Sequence, residues 1–149
     1  MACERSVHFE VSASLQRRVL RVRLSGSLSA EHLQALAASL SQAAAQFQGK
    51  RYMVVADTRG LKPLHPHLAK ILCELIGRGR KSGCALCVHL SDLTVARLSA
   101  QRLARENSAE DDITVDVSSD AEAERVVDEA RCRLDDGRYG ASVRDSIAA

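Results

Sequence analysis

Apolar and charged side chains alternate strictly along Leu20-Arg-Val-Arg-Leu24, with Leu20, Val22 and Leu24 on one side and Arg21 and Arg23 on the other. A period of two marks a strand with one buried face. Ser25-Gly-Ser-Leu28 follows, where Gly26 permits a turn. Ser29 then caps a helix over residues 29–48, whose Leu33, Leu36, Ala37, Leu40, Ala43, Ala44 and Phe47 recur three and four apart. Gly49 is its stop. Upstream, Val7, Phe9 and Val11 alternate with His8 and Glu10, predicting an earlier strand. The short polar link over 12–18 makes the two strands an antiparallel hairpin.

Beyond the first helix the pattern changes. Residues 52–57 and 84–90 are short continuous apolar runs between breakers, which suit central strands covered on both faces. The loop over 58–66 carries Gly60, Pro63 and Pro66. A second helix opens near Pro66, a residue tolerated in a first turn. It buries Leu68, Ile71, Leu72, Leu75 and Ile76, then frays into Gly77-Arg-Gly-Arg-Lys-Ser-Gly83. Ser91 or Asp92 caps a third helix to about Glu106, with Val95, Leu98 and Leu103 inward. Residues 113–117 form the last strand. Ser119-Asp-Ala-Glu122 is a capping box opening a final helix, with Ala123, Val126, Val127, Ala130 and Leu134 on one side. Residues 135–149 read as a flexible tail after a single domain over 1–134.

The order is β-β-α-β-α-β-α-β-α. Alternation after a hairpin demands parallel crossovers, so the expectation is an α/β fold: a mixed sheet of about five strands with helices packed on it.

Composition narrows the function classes. At 149 residues and 46% hydrophobic, the chain can bury one substantial core. Aromatics are only 3%, which argues against sugar-stacking or single-strand nucleic-acid platforms. A net charge of +2 points to neither a nucleic acid nor a membrane surface. No apolar run reaches the roughly 18 residues of a membrane span. The start, Met-Ala-Cys-Glu-Arg-Ser, lacks the apolar segment of a secretion signal. Five scattered cysteines imply free thiols and a reducing cytoplasm.

With Leu24-Ser-Gly-Ser-Leu28 at the strand–helix junction and Val54-Val-Ala-Asp-Thr-Arg-Gly-Leu61 ending the third strand, this order resembles the STAS domain family, named for sulfate transporters and anti-sigma factor antagonists. The closing 113–117 strand and its Ser-Asp-Ala-Glu helix start are also similar, and the likeness covers residues 7–134. The resemblance implies a SpoIIAA-like fold and a role in regulatory docking. Anti-sigma antagonists begin their second helix with an Asp-Ser-Ser-Gly-like motif whose Ser is phosphorylated. The equivalent place here reads Leu64-His-Pro-His-Leu68 and has no hydroxyl. A phosphate switch needs an acceptor oxygen. The resemblance therefore shifts toward divergent STAS-like relatives that lack that switch, for which docking or lipid binding is proposed.

Several residue groups carry candidate chemistry. Cys84-x-x-Cys87, followed by His89, lies in an expected strand, so positions three apart face opposite ways and read as buried structural thiols. His65 and His67 lie where a parallel strand hands over to a helix, the place where open α/β sheets hold their sites. They suit a metal or anion site, or simply an exposed loop in which His65 caps the helix. Asp57 ends a strand as a phospho-acceptor does, but only Glu10 could supply the accompanying acids, so it reads as organising its own turn. Arg78, Arg80 and Lys81, near Lys50 and Arg51, form a basic patch, either an anion or acidic-partner site or a solvated helix C-terminus. Arg97, Arg102 and Arg105 form the wet face of the third helix.

No nucleophile elbow, phosphate-binding Gly-Lys loop or paired acid–base carboxylates occur. The expectation is a non-enzymatic bacterial cytoplasmic signalling module without metal or cofactor, whose partner is a kinase or other regulator and which is compatible with a homodimer. Its partner surface would comprise Asp57, Thr58, Arg59, His65 and His67. The alternative is a small-molecule or lipid carrier with a cavity lined by Leu68, Leu72 and Leu98. An enzyme would need His67 beside Asp57 or Cys87.

Overall fold

The computed structural model describes residues 3–5, 9–62, 65–90 and 114–134. The expected strand start at Val7, the helix over 91–106, Ile113 and the 135–149 tail lie outside the described residues.

The alternating stretch forms the strand it predicts. β2 (Phe9–Ser14) and β3 (Val19–Leu24) pair antiparallel, with Val11 opposite Val22. β4 (Tyr52–Asp57), β5 (Cys84–Leu90) and β6 (Thr114–Val117) then add in parallel, in that order, beside β3. The mixed sheet is present, and it carries one further edge strand, β1 (Cys3–Arg5), antiparallel to β2. Three residues are too few to display a period, so this strand leaves no mark in the pattern.

Helices cover both faces. α1 (Ala30–Ala45) and α2 (Pro66–Lys81) cover one, where Phe9, Val11, Leu20, Leu33, Leu36 and Phe47 belong to one buried cluster. α3 (Asp120–Arg131) lies on the other, where Met53, Val55, Leu86, Val88, Val126 and Val127 form a second. Strand periodicity assigns the sides: Leu20 and Val22 face α1, while Arg21 reaches Glu124 of α3.

Ser29 caps α1 as expected, accepting from the His32 amide at 3.2 Å, while the His32 imidazole accepts from the Ser29 amide at 3.0 Å. This is a capping box with histidine in the usual glutamate place. α1 ends at Ala45, three residues before the expected limit, in a tightened turn running to Gln48. α2, by contrast, continues to Lys81 through the two glycines expected to fray it. Tertiary contacts outweigh their low helix propensity. Ser82 Oγ donates to the Gly79 carbonyl at 2.9 Å, and the Tyr52 hydroxyl joins Ser82 Oγ at 2.7 Å. Tyr52 itself stacks on Phe47 with ring centroids 4.7 Å apart.

The register corrects the reading of the cysteine pair. β4 and β5 slip between Tyr52 and Met53, so Cys84 pairs with Tyr52 but Leu86 with Met53 and Cys87 with Val54. Tyr52 and Val54 both pack into the α1/α2 cluster. The extra β5 residue therefore puts both buried thiols on one face of the sheet, not on opposite faces. They are free cysteines, as expected.

Candidate functional site

Polar side chains gather where the parallel strands end, in two clusters on opposite faces. On the α3 side stands Asp57, the last residue of β4. Its Oδ1 accepts from the Arg59 amide at 3.0 Å, the turn-organising bond its position suggested. The Arg59 guanidinium clasps the same carboxylate through Nε at 3.1 Å and Nη2 at 3.0 Å. It then forks onto Asp120, in the first turn of α3, at 3.1 and 3.0 Å. Paired charge-assisted bonds of this kind are the strong ones. Arg23, on the neighbouring strand, adds a looser contact to Asp57 at 3.9 Å. Burial alone would raise the Asp57 pKa, but the Arg59 bonds and charge overcome it and hold the carboxyl below its ordinary range. The two carboxylates push the Arg59 guanidinium further up, so it stays charged.

The second cluster lies on the α1/α2 face. Thr58 Oγ1 meets His89 Nε2 at 2.8 Å, and His89 Nδ1 meets Asp116 Oδ1 at 3.0 Å. With Nδ1–H donated to the carboxylate, Nε2 accepts from the Thr58 hydroxyl. The order hydroxyl–imidazole–carboxylate is that of a nucleophile, base and orienting acid. Here the same hydroxyl also lies 3.3 Å from the Leu90 carbonyl, and the Thr58 amide donates to that carbonyl at 2.9 Å. His89 and Asp116 are both mostly buried. The arrangement ties the start of the loop after β4 to β5 and β6.

The same loop is also held from the β3 side. The Gly26 amide donates to the Gly60 carbonyl and the Lys62 amide to the Gly26 carbonyl, each at 2.9 Å. Gly60 makes this approach at φ +100°, a conformation side chains rarely adopt. An open cleft of about 440 Å³ lies alongside, lined by Phe9, Leu24 and Ser25 with Arg23, Asp57 and Arg59 at its polar end.

Of the expected surface residues, Asp57, Thr58 and Arg59 are brought together at the end of β4. His65 and His67 lie at the start of α2, both exposed, and no hydrogen bond joins them to those three among the described residues. The His67 amide donates to His65 Nδ1 at 3.2 Å, so His65 caps the helix. No hydrogen bond joins His67 to Asp57 or Cys87 among the described residues, which removes the enzyme constellation built on them. Arg78, Arg80 and Lys81 lie in the last turn of α2, at the end of the sheet where β5 begins. Leu68 and Leu72 pack against the α1 cluster. Among the described residues, no group of three or more acidic, His or Cys side chains could hold a metal ion.

Sequence reading noted His89 only beside the cysteine pair and Asp120 only in a helix start, and it missed Asp116 and the role of Arg23. A signal existed: His89 and Asp116 are each the penultimate residue of an otherwise largely apolar strand. Their pairing places them side by side.

Neither a protein-family model nor a curated relative matches the chain. Among solved structures, it is similar to the anti-sigma factor antagonist SpoIIAA in its unphosphorylated form, with a TM-score of 0.53 and 19% identity over 79% of this chain and 95% of that one. The fold is therefore STAS-like: a mixed α/β sheet of the SpoIIAA type, as the strand–turn–helix resemblance implied. Among the described residues, no helix is long and apolar enough to cross a membrane.

Proposed function

We propose that this chain is a non-enzymatic regulatory module of bacterial cytoplasmic signalling. It docks a protein partner, a kinase or other regulator, through the loop from Asp57 to Lys62, His65 and His67, and the exposed face of α2. One observation carries the reading. The loop is tied to its neighbours from three directions, by Gly26, His89 and Asp120, while the start of α2 next to it exposes two imidazoles. A preordered surface loses little conformational freedom on binding, which favours recognition. The solved relative is described as an anti-sigma factor antagonist, which agrees with a regulatory role.

Docking here works without a phosphoserine switch. His65, Pro66 and His67 occupy the helix start and offer no acceptor hydroxyl. Recognition then rests on fixed shape and charge. The packing of Leu68 and Leu72 against the core favours this reading over the carrier alternative, which needs those side chains to line an empty space.

Affinity capture from native extract, comparing the wild-type chain with a His65→Ala/His67→Ala variant, tests the proposal. A partner retained by the first and lost from the second is expected. That partner, once purified, should bind the wild type about tenfold more tightly. Identical sets of retained proteins would overturn the assignment of this surface.

A further inference from the structure

Positive charge is concentrated on one helix. α2 contains Lys70, Arg78, Arg80 and Lys81 against a single acid, Glu74, so it alone exceeds the chain's net charge of +2. His67, Lys70, Glu74, Arg78 and Lys81 are all exposed and recur three and four apart, forming one stripe along the helix. From Lys70 to Lys81 it runs about 16 Å at helical rise. Lys62 is exposed just before the helix. None of Lys62, Lys70, Arg78 or Lys81 makes an ion pair among the described residues.

The helix start is equally unusual. Its first turn contains no acid, although the macrodipole favours one there. The dipole accounts for the cations of the last turn but not for Lys70 or the acid-free first turn, which an external anion would complement.

Resting on the docking role above, we propose that the α2 stripe, with Lys62, receives an acidic segment of the protein partner. The α3 face of a second copy is a poor occupant. Four acids of α3 already have cations: Asp120 has Arg59, Glu124 has Arg17 and Arg21, Asp128 has Arg17, and Glu129 has Arg125. Those four carboxylates are already neutralised and would have to leave their partners to meet α2 of a neighbour. A lipid surface is also disfavoured. Among the described residues the exposed large hydrophobic is Leu15, in the turn between β2 and β3, so none of the described α2 side chains is one to insert. An extended acidic peptide of about five residues matches the length of the stripe. Its carboxylates would meet exposed cations that hold no ion pair among the described residues.

Fluorescence anisotropy with a fluorescein-labelled glutamate-rich peptide tests this on the full chain at low salt. The peptide should bind, with affinity falling as salt is raised. A Lys70→Glu/Arg78→Glu variant should lose at least about tenfold in affinity, and an Arg125→Glu variant on α3 should stay within about twofold. Amide NMR shifts on adding the peptide should map to residues 62–81. No binding, or binding insensitive to the α2 reversal, overturns the proposal. So does equal, α2-dependent binding of duplex DNA or phosphatidylglycerol vesicles. Retention of a His65/His67-dependent partner by the charge-reversed variant would defeat this inference alone. Peptide binding without any such partner would defeat the docking role instead.

Discussion

At the scale of single residues, Asp57 links stability to pH. Its folded pKa lies below the ordinary carboxyl value of about 3.9. Its contribution is thus present in full above about pH 5 and disappears as pH falls through the depressed folded value. Asp57→Asn should cost about 1.5–3 kcal/mol at neutral pH, the range for hydrogen bonds to charged groups. Denaturant titrations at pH 7 and near pH 3 check this, because the gap between wild type and variant should narrow in acid. A gap of constant size would refute the linkage. Glu124, also held low by its Arg17 bond, acts in the same acid range, so the Asp57→Asn variant should keep a pH slope of its own. The turn bond from the Arg59 amide was legible because it is local, an aspartate reaching two residues on. The clasp on Asp120 was not, because 61 residues separate the partners and only the assembled sheet brings them together.

Elements follow the pattern where one physical term dominates. β3 is explicit because burial alternates with solvent at every step. The slip in β5 was hidden, since Cys84-Ala-Leu-Cys-Val is apolar throughout and an inserted residue leaves its composition unchanged. The length of α2 was underestimated for a related reason: propensity argued for an end at Gly77, while the Tyr52–Ser82–Gly79 contacts hold the last turn. Two glycines around that turn should respond oppositely to alanine. At Gly79 an added Cβ would lie 3.8 Å from the Cys84 Cβ, an ordinary contact. Gly79→Ala should therefore stabilise the chain by up to about 1 kcal/mol through helix propensity. Gly83 has φ +113°, and a Cβ there would stand 3.4 Å from the Lys50 carbonyl, so Gly83→Ala should destabilise by about 1–2 kcal/mol. Thermal melts of the two variants should move in opposite directions. Movement in the same direction would show that the turn relaxes freely.

Taken as a whole molecule, the sheet separates what holds the chain together from what it displays. Leu86 is fully buried between β5 and α3, and its neighbours Met53 and Val88 are equally enclosed. Leu86→Ala leaves a cavity there and should cost about 2–5 kcal/mol. Because both clusters share the backbone of β3, β4 and β5, the loss should appear as one cooperative transition affecting both faces. Amide exchange of α1 and α3 should accelerate together in that variant, and acceleration of α3 alone would show the two clusters to be independent. The exposed His67 and Lys70 belong to the other category. Side chains of this kind contribute within about 0.5 kcal/mol when replaced. His67→Ala/Lys70→Ala should therefore melt with the wild type while losing its hold on an acidic partner. If binding and melting temperature fell together, α2 would be a structural element whose charge is incidental, and the surface reading would have to move to the cleft beside Asp57 and Arg59.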